Sequence, residues 1–138
     1  MHLSFATDLP IQFPSQVSTE ELSDYYEAAD LFVLPAIVDS KGDTEGLGVV
    51  LVEAIQSDTA IIASRVGGII DVVIHEETGL LVPEKDTHAL CEAMLRIYKD
   101  KDLKAKVIHQ ARRRAHELFD WDVITQELVS KYELMRTN

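Results

Sequence analysis

Two carboxylates with seven residues between them stand in the stretch Glu45-Gly46-Leu47-Gly48-Val49-Val50-Leu51-Val52-Glu53, and two glycines lie just after the first. Glycine lets the backbone turn tightly and leaves its amides uncovered. The stretch therefore combines carboxylate acceptors for hydroxyl groups with N–H donors for an anion. The apolar run from Leu47 to Ile55 then enters the core. Val49 to Val52 favour a strand by propensity, Glu53-Ala54-Ile55-Gln56 continue with good helix formers, and periodicity does not choose between the two. Because a strand candidate, Ala60-Ile61-Ile62-Ala63, follows at once, we read the run as a buried helix starting near Leu47. The amides of Leu47, Gly48 and Val49 then form a helix N-terminus, where orphan N–H groups and the dipole suit a phosphate. Glu45 sits beside that phosphate in the entry loop. Glu53 lies roughly 12 Å further along and roughly 80° around. That is about the reach from a sugar, across a diphosphate, to a ribose.

Other residues with chemical potential read more plainly. Asp39 and Asp43 precede Glu45 in a loop, but with neither a D-x-D pair nor a full calcium-loop pattern they read as solvated carboxylates, and no metal is expected. Gly67-Gly68 marks either a close backbone approach or a turn before a helix Ile69 to His75. Arg65, beside them, is the one cation expected near the site. Arg112-Arg113-Arg114 splay over most of a helix circumference and pair readily with Glu117 or other acids. His75, His88, His109 and His116 show no ligand spacing, and no Ser/His/Asp or Cys/His set stands out. The single cysteine, Cys91, falls in an amphipathic helical pattern and reads as a buried thiol.

The positioning elements follow in alternation. A chain of 138 residues is the size of one ordinary domain. Its 46% apolar and 27% charged residues are ordinary for a globular protein. A formal net charge of −11 opposes non-specific binding to nucleic acid or to an anionic membrane. No charged-then-apolar leader opens the chain and no apolar run approaches the roughly 18 residues of a membrane span, so a cytoplasmic setting is expected. Residues 1–10 receive no assignment. Ile11-Gln12-Phe13 alternate like a strand, which Pro14 ends or restricts to an edge. Ser18-Thr19-Glu20-Glu21 form a capping box that starts a helix with Leu22, Tyr25, Tyr26 and Ala29 on one apolar face. Leu31-Phe32-Val33-Leu34 read as a strand buried on both faces of a parallel sheet, Ala60 to Ala63 as the next, and Gly79 to Val82 as the last, stopped by Pro83. From Asp86 the pattern is helical: a first helix with Leu90, Met94 and Ile97 inward, a second from about Asp102 to Leu118 with Leu103, Val107 and Ala111 inward, and a third from about Trp121 to Met135. This order predicts an α/β fold, a Rossmann-like small parallel sheet with flanking helices and a helical C-terminus.

The setting Glu-Gly-Leu-Gly…Glu-Ala resembles the E-x7-E signature of the family-4, group 1 retaining nucleotide-sugar glycosyltransferases, which have the GT-B fold. Tyr26-Glu27-Ala28-Ala29-Asp30-Leu31-Phe32-Val33-Leu34-Pro35, Ala63-Ser64-Arg65-Val66-Gly67-Gly68, Glu77-Thr78-Gly79-Leu80-Leu81-Val82 and Phe119-Asp120-Trp121 extend the likeness from about Ile11 to Tyr132. The resemblance implies one partial domain over residues 1–138, the C-terminal donor-binding domain without its first part and without the acceptor-binding N-terminal domain. It implies a nucleotide-diphosphate sugar as donor substrate, no separate cofactor, and Glu45 as the catalytic-site carboxylate on the sugar hydroxyls. Glu45, Gly46, Leu47, Gly48, Val49 and Glu53 become the substrate-binding set, with the amides on sugar and phosphate and Glu53 on the ribose. Membrane contact is expected only through the missing domain, and an exposed sheet edge invites self-association or a partner chain. Two rival classes share parts of this pattern. One is a donor domain that binds a nucleotide sugar or a partner without turnover. The other, nucleotide-sugar epimerases on the GT-B scaffold, lacks the Glu-Gly-Leu-Gly setting. The chain departs from the family at Gln56-Ser57-Asp58-Thr59-Ala60, where the family usually has Gly in place of Asp58. A left-handed residue at the helix end is expected there.

Overall fold

The computed structural model describes residues 11–42 and 48–136. Its elements run α1 (Thr19–Ala28), β1 (Leu31–Leu34), α2 (Val49–Gln56), β2 (Ala60–Ser64), α3 (Ile69–Val72), β3 (Leu80–Val82), α4 (Thr87–Lys99), α5 (Lys101–Phe119) and α6 (Trp121–Arg136). The strands form a parallel sheet in the order β1-β2-β3. Leu31 pairs with Ala60, and Ile62 with Leu80. Parallel neighbours need crossovers, which α2 and α3 supply.

Alternation along the strands feeds two apolar layers. Ile61, Ala63 and Leu81 face one, with Leu51, Ala54 and Ile55 of α2 and Ile69 and Val72 of α3. Ala60, Ile62, Leu80 and Val82 face the other, with Ala93 and Ile97 of α4. α5 serves both, placing Leu103 and Val107 in the second layer and Ala111 and Ala115 in the first. Two ion pairs tie it to the residues just before the strands, Lys104 to Asp30 at 2.8 Å and Arg112 to Asp58 at 2.6 Å. The amino ends of β1 and β2 are thus occupied by α5, and their carboxyl ends are where a ligand site belongs in an open α/β sheet.

Local signals explain where the helices start. Ser18 accepts from the Glu21 amide at 3.2 Å, and the Glu21 carboxylate accepts from the Ser18 amide at 2.8 Å. Asp86 and Asp100 cap α4 and α5 through the amides of Ala89 and Leu103.

Several expectations are corrected. Ile11-Gln12-Phe13 form no strand, and Phe13 is solvent-exposed, so nothing rewards an extended pairing there. β1 is half-buried along its whole length, because it is the edge strand of the described sheet. Tyr26 joins the core, while Tyr25 is exposed. On α4 the inward residues are Ala93 and Ile97, with Leu90 half-buried and Met94 exposed; the small Ala93 lets the helix approach the sheet closely. Cys91 is exposed, not buried. α3 ends at Val72 rather than His75, where the Thr78 hydroxyl accepts from the Ile74 amide at 2.8 Å and the chain turns back.

Candidate functional site at the end of the sheet

α2 carries the described residues of the candidate site. It begins at Val49, two residues after the expected start, with Gly48 as N-cap. Gly48 adopts φ 66°, in the left-handed region. A Cβ there would also meet Leu51 Cδ1 at 3.1 Å. Position 48 thus favours glycine on both counts. Gly48 has no side chain to cap this helix end and no acidic residue occupies the first turn; the Leu51 amide donates to the Gly48 carbonyl at 2.8 Å. Val49 is exposed beside Gly48. Such a helix end suits an anion. Glu45, Gly46 and Leu47 lie outside the described residues, so Gly48, Val49 and Glu53 are the members of the expected set whose positions are given.

Glu53 stands half-buried one turn further along α2. The Tyr26 hydroxyl on α1 donates to its Oε2 at 3.1 Å. Burial, together with the neighbouring carboxylate, pushes the Tyr26 phenol up to about 12, so it is a hydrogen-bond donor at any physiological pH. Tyr26 and Glu53 line a cavity of about 320 Å³ between α1 and α2, whose wall also includes Ser23, Gln56 and Ser57. These are groups suited to hydroxyls and amides.

Three loops meet at the carboxyl ends of the strands. The loop after β1 is held to the loop after β3 by the Val38 amide, which donates to Glu84 Oε2 at 2.8 Å. Arg65 follows β2 and is exposed, and its amide donates to Val82 O at 2.8 Å. Lys41 and Lys85 lie on the flanking loops, so Arg65 is not the only cation at this end. Among the described residues no group of three or more His, Cys, Asp or Glu is placed to hold a metal ion, and no helix is long and apolar enough to cross a membrane. The arginine triplet is absorbed structurally: Arg112 pairs with Asp58, Arg113 with Glu117 at 3.8 Å, and Arg114 donates to the Asp71 carbonyl at 3.0 Å.

Sequence reasoning did not find Tyr26, Thr59 or Glu84 as partners around the site. The Thr59 hydroxyl donates to the Tyr26 carbonyl at 2.8 Å and fixes the backbone under the phenol. These pairs span between 27 and 46 residues of sequence, and no local pattern reports them.

Sheet, crossovers and helix end together define a Rossmann-like α/β domain, the fold class expected. The family model for glycosyl transferases group 1 matches residues 9–114, well over half of the chain. The chain belongs to the group 1 glycosyltransferases. It is 31% identical over 121 residues to the putative colanic acid biosynthesis glycosyltransferase WcaL of Escherichia coli, covering 87% of this chain and 30% of WcaL. Among solved structures, the sucrose-phosphate synthase of Thermosynechococcus elongatus is 36% identical, with a TM-score of 0.73 over 91% of this chain and 30% of that one. HepE of Anabaena, determined in complex with UDP-glucose, shares the fold at 22% identity and a TM-score of 0.65, over 79% of this chain and 29% of its own. The chain therefore spans about 30% of the length of such relatives, and its architecture is that of part of a GT-B C-terminal domain.

Proposed function

We propose that this chain is the donor-binding part of a retaining glycosyltransferase that moves a sugar from a nucleotide-diphosphate sugar to an acceptor hydroxyl. Glu53 takes the ribose hydroxyls, the amides from Gly46 to Val49 face the sugar and diphosphate, and Glu45 takes hydroxyls of the donor sugar. The observation that carries the reading is a single helix, α2, with a glycine-opened N-terminus whose first turn holds no acidic residue and, one turn further on, a carboxylate facing a polar cavity. Carboxylates make strong charge-assisted bonds to hydroxyls. Helix-end amides stabilise charge that grows on a leaving diphosphate. UDP-glucose bound to HepE, a protein of like fold, is compatible with a donor of this class.

Such an arrangement holds a donor but supplies no acceptor. The acceptor-binding side belongs to a domain outside this chain, and the open edge of β1 is the place where further sheet, or a second copy of the chain, joins. The protein's setting is cytoplasmic in this reading, and any membrane contact runs through that other domain.

Calorimetric titration with UDP, GDP and ADP and with their sugars tests the proposal. Glu45→Ala should weaken binding of the nucleotide sugar and hardly affect the bare nucleotide, whereas Glu53→Ala should weaken both. Loss of a hydrogen bond to a charged group costs about 1.5–3 kcal/mol, or roughly 10- to 150-fold. Equal losses for both ligands in both variants would overturn the role assignment.

A further inference from the structure

We infer that Tyr26 is a positioning residue for the donor's ribose, acting through Glu53; the inference rests on the donor-binding reading above. Tyr26 is 7% exposed. Its ring meets Phe32 edge to face, with centroids 5.6 Å apart. Its carbonyl accepts from the Thr59 hydroxyl and from the Ala29 amide, at 2.8 and 3.2 Å. Ring and backbone are therefore fixed by contacts that phenylalanine would make equally well. The hydroxyl is the extra feature, and it donates to Glu53 Oε2 in the wall of the cavity.

A carboxylate has about four lone-pair sites, and the phenol takes one of them, on one oxygen. The other oxygen stays available to a vicinal diol. A glutamate side chain gives up substantial rotamer freedom when it is fixed. Here folding orders it, before any ligand arrives, so ribose binding meets a carboxylate already aimed. An acceptor-only partner also suits a neutral phenol, which donates across the physiological range. Tyr26 touches the ligand nowhere in this account. It sets the direction of the group that does.

The signature of such a role is a loss confined to the ribose hydroxyls. Affinities of UDP, GDP and ADP and of their 2′,3′-dideoxy counterparts are measured by calorimetry for the chain and for Tyr26→Phe, with thermal melts alongside. The unaltered chain should prefer the ribonucleotide, and Tyr26→Phe should reduce that preference by about 5-fold, within the range expected for one hydrogen bond. In a Glu53→Ala background, which removes the acceptor of the phenol, the same substitution should change the preference no further, because the two residues act as one unit. A purely structural role for Tyr26 predicts instead an equal weakening of ribo and dideoxy ligands. That result, or an unchanged preference in Tyr26→Phe beside a clear preference in the unaltered chain, overturns the inference and leaves the role of Glu53 standing. No ribose preference in the unaltered chain, or no nucleotide binding at all, overturns the role of Glu53 and the inference with it. Should Tyr26→Phe fail to fold, Thr59→Val removes one of the two bonds to the Tyr26 carbonyl, that from the Thr59 hydroxyl, and leaves the phenol in place. It should lower the ribose preference by a smaller factor, and an unchanged preference there counts against the inference.

Discussion

Asp58 should be replaceable by glycine with a gain in stability, and the gain should depend on Arg112. The end of α2 is a Schellman motif: the Thr59 amide donates to the Ala54 carbonyl and the Asp58 amide to the Ile55 carbonyl, both at 3.1 Å. The position between these bonds must be left-handed, and Asp58 has φ 53°. A side chain with a Cβ pays roughly 1–2 kcal/mol there, and Asp less than most, so glycine should relieve about 1 kcal/mol. Against this stands the ion pair to Arg112 at 2.6 Å, whose partners are 65% and 50% exposed. Exposed pairs contribute only about 0.2–1 kcal/mol. Asp58→Gly alone should therefore stabilise by about 0.5 kcal/mol, and in an Arg112→Gln background, where the pair is already gone, by the full ~1 kcal/mol. Asp58→Ala keeps the strain and loses the pair, so it should destabilise by about 0.5–1.5 kcal/mol. Urea unfolding of the four single and double variants measures all of these values at unchanged slope. If Asp58→Gly in the Arg112→Gln background is no more stable than Arg112→Gln itself, the backbone-strain argument is wrong.

Gly79→Ala should destabilise the fold by about 1–3 kcal/mol through overpacking, since a Cβ would lie 2.9 Å from both the Ile61 carbonyl oxygen and Val73 Cγ1; a urea midpoint equal to that of the unaltered chain would refute this. The folded Tyr26 holds its proton up to about pH 12, while the unfolded phenol releases it near pH 10. Its contribution is fully present below about pH 10 and is lost as pH rises towards about 12, by at most about 2.7 kcal/mol. The stability advantage of the chain over Tyr26→Phe should shrink over that window in chemical denaturation, and an advantage independent of pH would refute it. The chain alone should bind donor without turnover, because holding an acceptor hydroxyl against the anomeric carbon is worth up to roughly 7–11 kcal/mol of barrier. Product formed from UDP-, GDP- or ADP-sugars and a panel of acceptors by a purified monomer would falsify that.

The three strands that form and the starts of α1, α4 and α5 were legible because their causes are local. Ser18 with Glu21, Asp86 and Asp100 announce helices through side chains that answer the next amides, and Ala60 to Ala63 are apolar without interruption, as a central strand must be. The apolar run of β1 looked equally central and is the edge of the described sheet. A strand's apolar sequence reports what its faces meet in the complete sheet, not how many neighbours the described part supplies. Ala93 and Met94 exchanged roles because both fit a helical period with Leu90 and Ile97, and only the approach distance of α4 separates them. At the candidate site, the Glu45…Glu53 spacing and the glycines are a one-line pattern, of which Gly48 and Glu53 fall among the described residues. The Tyr26, Thr59 and Glu84 bonds were not, since each joins residues distant in the chain and each residue has an ordinary local explanation. Asp58 lies between these cases: its left-handed geometry was foreseen from the helix end, its partner Arg112 was not.

The placement of α5 across both layers bears on how the molecule opens. A helix whose first half completes one layer and whose second half completes the other cannot leave either alone. Amides of β2 and of α5 from Leu103 to Ala115 should therefore share one exchange free energy with solvent deuterium, equal to that of global unfolding. α6, none of whose residues is buried, sits outside that unit. Its amides should exchange through local fraying, many times faster, and a protease should trim its far end while the rest of the chain stays protected.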